Sequence, residues 1–98
     1  ATFEDLGPKL TIYALANGMD LTKQAAIRRL EWYHEGQERG IAIEATGAGT
    51  VSIRALAWTR NAPGQERSHP YRSELPAEEL ARDLSTILEG AMVAANAL

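Results

Sequence analysis

The chain has 98 residues, 45% of them hydrophobic and 23% charged, with a formal net charge of −3 and no cysteine. That is enough for a single modest core, and it leaves out a disulfide framework, a thiolate metal site and a cysteine nucleophile. A pI near 5.3 argues against a chain whose main task is to neutralise phosphates, and no apolar run approaches the ~18 residues of a membrane span.

Residues 1–9 lack the basic-then-apolar order of an export signal. A cytoplasmic protein is therefore expected, and the preference for alanine over lysine fits a GC-rich bacterial genome. The charge is unevenly spread. Residues 75–98 carry one basic and four acidic groups, whereas 41–74 carry four basic and three acidic.

Thr2, with Asp5 three residues on, reads as a weak capping box. Phe3, Leu6, Leu10 and Tyr13 then share one helical face, while Ile12, Leu15 and Met19 line the opposite side. Pro8 predicts a kink or a true start at that point, and Asn17-Gly18 a left-handed stop. Thr22 is read as the cap of a second helix running to Gly40. Its buried face is expected to hold Ala26, Ile27, Leu30, Tyr33 and His34, with Trp32 pointing away.

From Ile41 the apolar period changes to two. Ile41, Ile43 and Ala45 predict one strand and Val51, Ile53, Ala55 and Ala57 a second, joined by a hairpin at Gly47-Ala48-Gly49. Asn61 to Gly64 carries a Pro-Gly turn signal, and Pro70 places a third strand, 67–74, at a sheet edge. Leu80, Leu84, Ile87, Ala91, Ala94 and Leu98, widened by Leu88, Met92 and Ala95, predict one long helix beginning at Pro76.

The expected fold is α+β in a single domain, 1–98. A helical part, 1–40, holds two helices; a three-stranded antiparallel meander, 41–75, follows; one long helix, 76–98, ends the chain. All the helices pack on one sheet face.

From Thr22 onward that expected order, helix, meander, helix, resembles the topology of double-stranded RNA-binding domains. Those domains carry a lysine-rich start to the last helix, and the matching residues here, Pro76 to Glu79, are acidic. No functional residue is carried over.

Catalytic chemistry finds little to stand on. Glu31, His34 and Glu38 would share a helical strip, but His69 sits apart before Pro70, and a metal centre needs three or four ligands. The serines lack an elbow of glycines, and the Gly47–Gly49 loop joins two strands rather than opening a helix. No catalytic residue, cofactor or metal is expected.

Two surfaces remain. Arg54, Leu56, Trp58, Arg60 and Arg72 are read as sharing a sheet face that could stack a base or anchor a protein. The helices also own more apolar surface than a small sheet can cover, so Trp32, Ile12, Leu15, Met92 and Leu98 are expected at a homodimer interface. The expected function is a non-catalytic, self-associating protein-interaction module of adaptor, accessory or regulatory kind. The alternatives are a nucleic-acid binder using the arginine–tryptophan face, or a small-molecule binder between sheet and helices.

Overall fold

The computed structural model describes residues 2–59 and 65–98. It shows α1 (Leu6–Ala16), then five strands, β1 (Asp20–Gln24), β2 (Ile27–His34), β3 (Gln37–Gly47), β4 (Thr50–Trp58) and β5 (Arg67–Pro76), then α2 (Ala77–Arg82) and α3 (Leu84–Asn96). The strands form one antiparallel sheet in the order of the chain. The α+β class stands. The three-stranded meander with two N-terminal helices does not, and neither does the likeness to RNA-binding domains that rested on it.

The overturned segment is 22–40. It builds β1, β2 and the start of β3 instead of a helix. Its two reversals are two-residue loops, Ala25-Ala26 between Gln24 and Ile27, and Glu35-Gly36 between His34 and Gln37. Glu35 (φ 52°) and Gly36 (φ 78°) both take the left-handed region, the conformation that matches a hairpin to the twist of its strands. Ala25 also has positive φ, at 39°. The helical propensity of these residues is real but weak, and pairing with β3 along the whole of β2 overrides it.

The long last helix is likewise two. Asp83 leaves helical angles (φ −114°, ψ 35°) and divides α2 from α3. At the other end, α1 begins at Leu6, with Pro8 inside its first turn. Residues 3–5 form a turn before it, and the Thr2 backbone N–H donates to Asp5 Oδ2 at 2.9 Å. That bond, and one from the Thr2 side chain, hold the Asp5 carboxyl below its ordinary value.

Other expectations hold. Gly18 (φ 65°) closes α1, Gly49 (φ 76°) turns the β3–β4 hairpin, and β5 with its Pro70 is an edge strand. The Pro-Gly turn at 61–64 lies outside the described residues.

Register assigns the two faces of the sheet. Across β2, β3 and β4, the rows Arg28–Ile43–Ile53, Leu30–Ile41–Ala55 and Trp32–Arg39–Ala57 look toward the helices. The rows Arg29–Ala42–Arg54, Glu31–Gly40–Leu56 and Tyr33–Glu38–Trp58 look away. Leu6 and Leu10 of α1, Leu80 of α2 and Leu88 of α3 fill the space over the first face, against Leu30, Ile41, Ile43, Val51, Ile53 and Leu75. All ten are fully out of water. At well over ~1.5 kcal/mol each for complete burial, this layer is the chief driving force for the fold.

Two arginines lie in that layer. Arg28, 7% exposed, donates to the carbonyls of Ala25 and Ile27, stands 4.6 Å from the centroid of Phe3, and meets Glu4 at 3.6 Å. Arg39, 5% exposed, donates to Glu38 O and Gln37 Oε1. Arg28 and Arg39 thus flank the apolar layer where it meets the start of α1 and the end of α3.

Candidate docking face on the helical layer

The residues singled out from the sequence fall into three places. Ile12 and Leu15 are exposed on α1, and Met92 of α3 is partly buried against the core. Trp32 and Leu98 belong to the sheet–helix contact: Trp32 Nε1 donates to Asn96 Oδ1 at 2.9 Å, and the Leu98 carbonyl accepts from Arg67 at 3.1 Å and Arg39 at 3.4 Å. Positive side chains at the C-terminal end of α3 complement its dipole.

Arg54 and Trp58 occupy the uncovered sheet face, as the alternation implied. Arg72 does not join them. Tyr71 is an extra residue on β5, since Ile53 pairs with Arg72 and Arg54 with Pro70. This bulge turns both neighbours toward the helices, with the Tyr71 hydroxyl against Gly90 of α3 and Arg72 donating to Glu79 of α2 at 2.9 Å. Arg60 lies outside the described residues.

The cation that meets Trp58 is one the sequence did not point to. Arg29 of β2 stands 5.2 Å from the indole centroid and is held by Glu31 at 3.0 Å and Glu66 at 2.7 Å. Burial alone would lower its pKa, but the bonds and charges of the two carboxylates outweigh that and raise it. Arg29 lies in the segment read as the second helix, and only strand pairing brings it beside Trp58. Leu56 and Ala42, on the same face, are fully or almost fully buried.

A recess of about 190 Å³ opens at the end of this face, lined by Asp20, Glu31, Tyr33, Glu38 and Trp58 among others. Its glutamates are engaged, Glu31 by Arg29 and Glu38 by the Tyr33 hydroxyl at 3.4 Å. The sequence-level strip of Glu31, His34 and Glu38 also dissolves, because residues three apart on a strand point to opposite faces. Among the described residues no three acidic or imidazole groups come together to hold a metal ion.

A second opening lies between the helices. A groove of about 460 Å³ runs between Lys9, Ile12, Tyr13, Ala16 and Asn17 on one side and Leu84, Ser85, Glu89 and Met92 on the other. Apolar side chains are exposed on the same two helices, with Ile12 68% exposed, Leu15 83% and Val93 61%.

Charge is sparse on α1 and α3, in contrast to α2 with its Glu78, Glu79 and Arg82. Lys9 is the one charged residue of α1 and Glu89 the one of α3, and both line the groove. The Tyr13 phenol at its wall is pushed above its ordinary value, by burial first and then by the negative charge of Glu89.

The exposed side of these helices thus mixes Ile12, Leu15 and Val93 with Lys9, Thr11, Ser85, Thr86 and Glu89. Among the described residues no helix is long and apolar enough to cross a membrane. No protein-family model, curated protein or solved structure matches the chain.

Proposed function

We propose that the chain is a non-catalytic protein-interaction module, adaptor or regulatory in kind, that docks through the outer surface of α1 and α3. The groove between those helices carries the reading. A surface with this much exposed apolar area, and one charge per helix, is costly to leave in water. Self-association belongs with the reading, because a homodimer is the simplest way to cover such a face. A cysteine-free composition supports work in the reducing cytoplasm.

The nucleic-acid alternative draws less support. The arginines it needs are divided between the two faces of the sheet, and the cation at Trp58 is already held by two carboxylates. A ligand between sheet and helices would have to displace fully buried leucines and isoleucines.

Site-directed photo-crosslinking tests the proposal. A crosslinking residue at Leu15 or Val93 should join the chain to a protein in the source cell, and one at Ser52 on the open sheet face should not. Ile12→Asp should abolish the Leu15 crosslink while leaving the melting temperature unchanged. Crosslinks from Ser52 alone would move the working surface to the other side of the sheet.

A further inference from the structure

We infer that the occupant of the α1–α3 face is a second copy of this chain, related by a two-fold axis that sets Lys9 of each copy against Glu89 of the other. The inference rests on the docking reading above and adds the partner and its register.

Three observations lead to it. First, ridge and groove occur on the same two helices: Ile12, Leu15 and Val93 are exposed on α1 and α3, and Ile12 and Met92 help to line the groove between them. An isologous contact needs that combination, since each patch must be complementary to itself.

Second, the charges are self-complementary. Lys9 is on α1 and Glu89 on α3, both exposed, and among the described residues neither takes an ion-pair partner. Laying α1 over α3 of the next copy pairs opposite charges twice. Laying α1 on α1 would set lysine near lysine. A two-fold therefore has one favourable register, and like charges brought together disfavour the other.

Third, the area is sufficient. Helices of 11 and 13 residues on the two sides of the groove present a face roughly 18 Å long and at least about 20 Å wide. With side-chain relief that removes on the order of 600 Å² from each copy, at the lower end for a specific pair. The dimer should accordingly be reversible and dependent on concentration.

Charge reversal tests the register. By analytical ultracentrifugation over a concentration series, the wild-type chain should pass from monomer to a species of twice the mass. Lys9→Glu alone, or Glu89→Lys alone, sets like charges across the axis at both pairs, and should weaken the dimer about tenfold or more. The two single variants mixed together should restore it, because each then meets the opposite charge at both contacts.

No attraction between Lys9 and Glu89 within one chain can produce that rescue. Both positions are exposed, and far-UV circular dichroism should find all the variants folded.

A wild-type chain that stays monomeric at every concentration overturns the inference. So does a dimer indifferent to the single reversals, or a mixture that fails to recover. A monomer whose Leu15 position still crosslinks to a different protein would remove the second copy and keep the docking face. A monomer without crosslinks would remove both.

Discussion

The indole of Trp58 lies across Gly40 of the neighbouring strand, so close that a Cβ on Gly40 would stand 3.0 Å from its Cζ3 and 3.2 Å from its Cη2. The same Cβ would meet the Leu30 carbonyl at 3.1 Å, and that backbone cannot swing aside. Gly40→Ala should therefore destabilise the fold by about 1–3 kcal/mol, the usual range for overpacking. The readout is a lower denaturant midpoint at unchanged slope. An unaltered midpoint would mean that the indole moves away at no cost.

Trp32 and Asn96 join the end of β2 to the last turn of α3 by one hydrogen bond of 2.9 Å. Asn96→Ala and Trp32→Phe should each cost about 1 kcal/mol, and the double variant little more than the larger single effect. Fully additive losses would show that each side chain acts through packing instead.

The Tyr13 phenol titrates against burial and the charge of Glu89, so its folded-state pKa lies above the unfolded one. The folded chain then holds this proton more tightly than the unfolded chain does. Stability from Tyr13 is fully present below the unfolded value, near ~10, and is lost as pH rises through the folded value. Ultraviolet titration, with Tyr13→Phe to assign the signal, should find this phenolate forming late. Glu89→Gln should bring it part of the way down, and no change on Glu89→Gln would place the carboxylate too far away to act.

Gly90 faces the Tyr71 hydroxyl, and any Cβ there collides with it. Alanine is ordinarily the better helix residue by ~1 kcal/mol, yet Gly90→Ala should destabilise this helix because the clash outweighs that preference. In a Tyr71→Ala background the sign should reverse, with Gly90→Ala neutral or stabilising by up to ~1 kcal/mol. Thermal melts of the four proteins decide it.

Legibility from sequence followed the physics of each segment. Along β3 and β4 the large aliphatic residues Ile41, Ile43, Val51 and Ile53 recur at every second position, so period two was visible even though Ala42 and Leu56 are buried on the other face. In β2 the helix-facing row reads Arg28, Leu30, Trp32, so a buried cation takes a place where a pattern search expects an aliphatic residue. The alternation was broken on paper but not in space. Ile27, Leu30 and Tyr33, spaced by three, supplied a false helical stripe. The turns were equally quiet, since Ala25 and Glu35 adopt positive φ without belonging to the residue types that favour it.

The candidate site was legible to a different extent. Ile12, Leu15 and Met92 were placed on surplus apolar surface; Ile12 and Met92 line the groove, and Leu15 is exposed on α1 away from its lining. Trp32 and Leu98 were grouped with them because the assumed fold had too few strands to shelter them. Lys9 and Glu89 went unremarked. Their role depends on α1 and α3 lining the two sides of one groove, an arrangement of the two ends of the chain that no local pattern reveals.

Every strand of the sheet hydrogen-bonds to its immediate sequence neighbour. Closing such a sheet demands only short loops, so its assembly should proceed hairpin by hairpin and quickly. The two terminal helices can settle together only once that platform exists. In refolding kinetics, the surface between them should be the last part of the molecule to appear.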